Sequence, residues 1–117
     1  MKKKMWLMLV FLLVFHSSAW AEMWKITAYC SCKKCCGKSD GITASGKQAR
    51  YGYVACNWLP FGTILSINGV QGFKVMDRGA KSLFGSKTNH IKHLDVWMSS
   101  HQEARNFGVR EMDVIIE

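Results

Sequence analysis

Acidic residues are scarce in this chain: eight Asp and Glu stand against 16 Lys and Arg, giving a formal charge of +8 over 117 residues. No internal repeat is visible, and no second apolar run of spanning length follows the one at the start. The chain is therefore neither a repeat array nor a protein that crosses a bilayer several times. Proline is almost missing. The only one, Pro60, marks residues 57–62 as backbone outside a sheet ladder. Beyond the three lysines at the start, the lysines are scattered rather than gathered on a recognition helix or interleaved with stacking aromatics. That scatter argues against nucleic acid as a partner. The excess of positive charge instead favours encounter with anionic polymers or surfaces.

What is present begins with an address label. Lys2, Lys3 and Lys4 form a basic start, residues 5–15 are apolar, and Ser17-Ser18-Ala19-Trp20-Ala21 offers small residues at an Ala-x-Ala cleavage site. This pattern reads as a signal peptide, residues 1–21, with cleavage after Ala21; the apolar stretch is short for a membrane anchor. Without those residues, which hold three lysines and no acid, the formal charge drops from +8 to +5. The expected location is secreted, periplasmic or otherwise in the cell envelope, with membrane contact only during export. The nearby anionic partners are then the wall, its acidic polymers and phospholipid surfaces.

Residues 22–117 suffice for one core and one domain, expected as a monomer. Residues 23–29 alternate loosely and are rich in aromatic and β-branched side chains, which suits a strand with one buried face. Residues 30–40 turn to Cys, Lys, Gly and Ser and read as an irregular, stapled loop. Residues 41–46 read as a short strand, and 51–56 and 63–67 as further strands. Asn68-Gly69, set between residues 64–67 and 73–76, signals a hairpin, since both residues accept the positive φ of a primed turn. Residues 78–90 form a long polar loop, of a length more often functional than idle in so small a domain. Residues 94–98 return to a strand. Ser99 or Ser100 can cap a helix, with Gln102 or Glu103 completing a capping box and Gly108 stopping it. Residues 109–116 close the chain as a strand whose inward set is expected to include Met112, Val114 and Ile116. Short strands, one short helix near the end and Gly-rich connections describe a mainly β protein, a closed or nearly closed barrel.

Five cysteines, Cys30, Cys32, Cys35, Cys36 and Cys56, all follow the export signal. An oxidising compartment permits disulfides, so at least one bridge is expected. Adjacent Cys35 and Cys36 rarely bond to each other, which leaves pairs within residues 30–36 or from there to Cys56. Five is odd, so one thiol stays free or pairs between chains. The four clustered cysteines could alternatively bind a soft metal, and His90, His93 and Asp95 form a His-x-x-His-x-Asp string able to supply zinc ligands. Export ranks a structural staple ahead of zinc, and zinc ahead of a catalytic thiol. On this reading the chain carries no metal and no cofactor.

Seven short stretches in one order are more specific. They are Thr27-Ala28-Tyr29-Cys30, Gly41-Ile42-Thr43-Ala44-Ser45-Gly46, Val54-Ala55, Leu59-Pro60-Phe61-Gly62-Thr63, Val75-Met76-Asp77-Arg78-Gly79, His93-Leu94-Asp95-Val96-Trp97 and Ser100-His101-Gln102-Glu103-Ala104. Together they resemble the triple-aspartate or "3D" domain, similar to the catalytic part of membrane-bound lytic transglycosylase A and to stationary-phase muralytic proteins. The resemblance covers nearly all of residues 22–117. It implies a six-stranded double-psi β-barrel and a lytic transglycosylase that cleaves the MurNAc–GlcNAc bond of peptidoglycan glycan strands. By the same resemblance Asp95 is the catalytic acid, and Asp77 a catalytic neighbour that orients substrate or shapes the field. Thr43 and Lys47 become polar positions of the cleft wall. His93 reads as a cleft-edge residue able to hydrogen-bond sugar or Asp95. The chain departs from the family in two places. Asn57 takes the position of the first aspartate, keeping hydrogen bonding but not charge, and the loop between the other two aspartates is longer. Asn57, with Trp58, Trp97 and Tyr51 as aromatics able to stack on sugar, also suits a rival reading, a non-catalytic expansin-like or wall-binding barrel.

Overall fold

The computed structural model describes residues 21–117; the expected signal peptide lies outside the described residues apart from Ala21. Six strands close into a barrel. In chain order the elements are β1 (Glu22–Tyr29), α1 (Lys33–Cys36), β2 (Tyr53–Ala55), β3 (Ile64–Ile67), β4 (Val70–Asp77), α2 (Lys81–Phe84), β5 (His93–Trp97), α3 (His101–Phe107) and β6 (Arg110–Ile116). Around the barrel the order is β1-β5-β2-β4-β3-β6, which closes back on β1. Two neighbouring pairs, β1–β5 and β2–β4, are parallel, and the remaining four are antiparallel. Closure removes the exposed edges that a small open sheet would present. Among the described residues no helix is long and apolar enough to cross a membrane.

Period-two alternation fills the interior. Trp24 and Ile26 from β1, Val54 from β2, Leu65 and Ile67 from β3, Val75 from β4, Leu94 and Val96 from β5 and Val114 from β6 form one buried cluster. Trp58 caps it, stacked on Trp24 at 5.5 Å and donating its indole N–H to the Ile91 carbonyl. Of the inward set expected on β6, Val114 is buried and Met112 packs partly against the core, but Ile116 is 42% exposed. It pairs with Leu65 near the end of β6, beyond the last described β1 pairing, Glu22 with Val114.

The turn at Asn68-Gly69 has φ of 52° and 80°, and Ile67 pairs with Val70 across it, so the hairpin has the primed two-residue geometry expected. Ser100 caps α3 by accepting from the Glu103 N–H. The box is not closed reciprocally, because the Glu103 carboxylate accepts from Ser99 and Tyr51 hydroxyls instead. Three local expectations need correction. Residues 41–46 form no strand; an isolated bridge joins Ile42 to Gln48, because the Asp40 carboxylate binds the Ile42 N–H and shapes a turn. The cysteine segment is not wholly irregular, since α1 occupies four of its residues and ends at Gly37 with φ of 72°. The loop after β4 likewise holds a helical turn, α2, folded against Gly79, where any Cβ would collide with the Phe84 ring.

Candidate functional site

The site lies on the outer face of the sheet, between α1 on one side and α2 on the other. Alternation that sends Trp24 and Ile26 inward sends Thr27 and Tyr29 outward, and alternation that buries Leu94 and Val96 turns His93 and Asp95 outward. Lateral register then builds a row: Thr27 on β1 pairs with Asp95 on β5, Asp95 with Ala55 on β2, and Ala55 with Asp77 on β4. The last pairing depends on a bulge. Val54 pairs with Val75, yet Ala55 pairs with Asp77, so the ladder skips Met76. A regular strand would put Asp77 on the same face as the buried Val75; the extra residue re-aims it into the cleft. Asp77 and Asp95 thus flank Ala55 from both sides, two strand spacings or about 10 Å apart at Cα. The small Ala55 side chain leaves the floor between them open.

The cleft has a volume of about 670 Å³. Both aspartates line it, together with Lys25, Lys38 and Arg78 as cations and Leu83 and Phe84 as apolar wall. The carboxylates differ in environment. Three donors converge on Asp77: the Tyr29 hydroxyl at 2.7 Å, the Ala44 N–H at 2.8 Å and the Arg78 N–H at 2.9 Å. Arg78 turns its guanidinium away, donating to the Cys56 carbonyl at 2.6 Å and lying over the Phe61 ring at 3.9 Å. Burial, reinforced by the bond to Asp77, keeps the Tyr29 phenol protonated far above its usual range. Asp95 has a single protein donor, the Thr27 hydroxyl at 3.0 Å. Burial pushes the Asp95 carboxyl up from 3.8 to about 6; the Thr27 bond pulls it down and the charge of Asp77 adds to the rise.

Behind Thr27 stands His93, 4% exposed, with Nε2 2.8 Å from the Thr27 hydroxyl and Nδ1 3.1 Å from the Leu83 carbonyl. Its ring stacks on Phe84 at 4.1 Å. Burial lowers its pKa, with the Leu83 carbonyl opposing and Lys25 acting in the same sense as burial, so the neutral imidazole is favoured. The carbonyl fixes the proton on Nδ1, which leaves Nε2 as an acceptor. A protonated Asp95 can therefore donate to Thr27, which donates on to His93; an ionised Asp95 accepts from Thr27 instead. His93 does line the cleft, though little of its surface is open to a ligand. It is buried and reaches Asp95 through one hydroxyl.

The other expected positions separate. Thr43 is 5% exposed, with its hydroxyl bonded to Ser45 and to the Lys47 carbonyl, so it organises the 41–48 turn and lies outside the residues that line the large cleft. Lys47 is exposed and lies outside the residues that line the large cleft. Asn57 also lies outside that cleft. Its amide nitrogen donates to the Gly79 and Gly85 carbonyls at 2.8 and 2.9 Å, and its oxygen accepts from the Gly79 N–H at 2.8 Å. It clamps both ends of the α2 turn, a task that needs two N–H donors and that a carboxylate cannot perform. Trp58 is used in core stacking, while Tyr51, 61% exposed, packs edge-on against Trp97 at 5.2 Å. Thr27 and Tyr29 carry the hydrogen bonds of the site, and their i, i+2 spacing on a strand whose other face is apolar was the signal for them.

None of the five cysteines is bonded to another, so the expected bridge is not formed. Cys56 is fully buried in the core, away from any partner sulfur. The His-x-x-His-x-Asp string does not converge either: His90 stacks on Trp58 at 4.2 Å and bonds the Lys87 carbonyl, remote in role from His93 and Asp95. Among the described residues, the group whose ligand atoms gather is Cys30, Cys32, Cys35 and His101, all within 4.8 Å of one another. Cys36 instead faces the cleft and donates to the Cys30 carbonyl; loss of hydration, then the charge of Asp77, pushes its thiol up to about 11. No protein-family model matches the chain, and no curated protein aligns with it significantly.

Proposed function

We propose that the protein is an exported peptidoglycan-cleaving enzyme of the lytic transglycosylase type, on a double-psi barrel of the 3D kind. One observation carries the reading. Of the two carboxylates that line the cleft, Asp77 has its oxygens taken by three donors, which leaves Asp95 as the one able to exchange a proton with a ligand. A glycosidase that adds water across the bond uses two working carboxyl groups; a transglycosylase needs one. The six-stranded closed barrel with two parallel pairs supports the fold assignment.

The chemistry follows from the two environments. Asp95, whose pKa burial raises to about 6 so that a protonated fraction persists toward neutral pH, gives its proton to the glycosidic oxygen as the bond from that oxygen to the muramic acid C1 breaks. Asp77, held by its three donors, is a fixed negative charge beside the developing oxocarbenium ion. The Asp95 carboxylate, now steadied by the Thr27 hydroxyl, takes the proton of the muramic acid C6 hydroxyl as that oxygen bonds to C1. A 1,6-anhydro end results, water is neither added nor released, and Asp95 is protonated again. Lys25 and Lys38 on the cleft wall suit a substrate that carries carboxylates on its lactyl and peptide branches.

Clearing of purified wall sacculi by the protein tests this reading. Asp95→Asn should lower the rate by about 10²–10⁴-fold, the range expected for losing a general acid and base. Undiminished clearing by a folded Asp95→Asn variant removes Asp95 from the role. Wall retention with no soluble product from the wild type leaves the binding-module reading in its place.

A further inference from the structure

The thiol and imidazole cluster at the far end of β1 is not used by the chemistry above, and its geometry is that of a ligand set. Cys30 follows β1 directly and is 2% exposed, Cys32 caps α1, Cys35 lies within it, and His101 opens α3, which packs on β1. From His101 Nδ1 the sulfurs stand at 3.4 Å (Cys32), 3.5 Å (Cys35) and 3.8 Å (Cys30), and Cys30 Sγ is 3.6 Å from Cys35 Sγ.

Three facts bear on what holds these atoms. A disulfide would bring two sulfurs to about 2.0 Å, which no pair here approaches. A single ring nitrogen has one lone pair or one proton, so it can satisfy one sulfur and not three. Four ligands around one zinc ion, with Zn–S of about 2.3 Å and Zn–N of about 2.0 Å, stand about 3.8 Å apart between sulfurs and about 3.5 Å apart between sulfur and nitrogen on tetrahedral geometry. The three sulfur–nitrogen separations and the Cys30–Cys35 separation lie within about 0.3 Å of those edges, and all four ligand atoms lie within 4.8 Å of one another.

We propose that Cys30, Cys32, Cys35 and His101 form a closed, four-coordinate structural zinc site that ties α1 to the start of α3. A Cys₃His set with no open position is structural rather than catalytic. Its consequence for the cleft is mechanical: Cys36 and Lys38, on the segment the metal would fix, form the cleft wall that faces α2. Lys33 and Lys34 on α1 offset the negative charge of three thiolates bound to one divalent ion. Export ranks a disulfide ahead of zinc from the sequence, and the histidine ligand lies some seventy residues from the cysteines, beyond any local spacing motif.

Cobalt(II) titration of the purified, reduced protein is the test. The proposal expects saturation at one equivalent, with a strong thiolate-to-cobalt absorption and the intense visible bands of tetrahedral coordination, both displaced by one equivalent of zinc. His101→Ala should weaken binding by more than the roughly tenfold to hundredfold that loss of an outer partner costs. Cys36→Ser, outside the four, should leave stoichiometry and spectrum unchanged. No uptake by the wild type, a spectrum without the thiolate band, or a spectrum that changes with Cys36→Ser but not with His101→Ala overturns the proposal. The wild-type spectrum decides even where a ligand variant fails to fold.

Discussion

A buried carboxyl with a raised pKa costs the fold stability, and Asp95→Asn should give that stability back. The rise of Asp95 from 3.8 to about 6 spans about two pH units, or roughly 3 kcal/mol at 1.36 kcal/mol per unit. The sign follows from proton counting. Below pH 3.8 folded and unfolded chains both carry the proton and Asp95 contributes nothing. Between 3.8 and about 6 the folded chain holds a proton that the unfolded chain has released, so stability falls as pH rises. Above about 6 both are ionised and the whole deficit remains. The asparagine variant keeps the Thr27 hydrogen bond through its amide oxygen and has no charge to desolvate. Urea unfolding of both proteins at pH 3.5 and pH 7.5 should therefore give nearly equal stabilities at the acidic pH. At the higher pH the variant should lead by up to about 3 kcal/mol. Groups common to both chains cancel in the difference. A variant that gains nothing between the two pH values would refute burial as the cause of the raised pKa, and with it the reason Asp95 can serve as an acid.

Thr27→Val removes the one bond that lowers the Asp95 pKa, so the alkaline limb of the kcat/KM profile should move to higher pH; movement to lower pH would contradict the assignment. The same change leaves His93 Nε2 without its partner and should cost about 1–3 kcal/mol in thermal or urea unfolding. Asn57→Asp sets a carboxylate against the Gly79 and Gly85 carbonyls in place of two N–H donors. It should destabilise by about 2–4 kcal/mol at neutral pH, and by less at pH 3.5, where the protonated acid regains one donor.

Much of the barrel could be read from residue patterns because the patterns are local. The Asn68-Gly69 turn, the Ser100 cap, the Gly108 stop and the apolar alternation of β1 and β5 each specify their own geometry within a few residues. The bulge at Val54/Ala55 is different. Period two assigns Asp77 to the face of Val75, and only the skipped Met76 turns it toward Asp95. The tasks of Asn57 and Thr43 were hidden for a related reason: the carbonyls they bind are set by loop closure, and a polar side chain looks the same whether it faces a sugar or its own backbone. His101 was hidden by distance along the chain, since the parallel return of β5 beside β1 is what carries α3 back to the cysteines.

The central claim, that one aspartate both gives and takes the proton while the sugar attacks itself, is tested most directly by weighing the soluble muropeptides released from wall sacculi. The released products should be one water lighter than hydrolysed fragments, carry 1,6-anhydro ends, and be lost with Asp95→Asn. Products with reducing ends, or anhydro products formed at an undiminished rate by that variant, would contradict it.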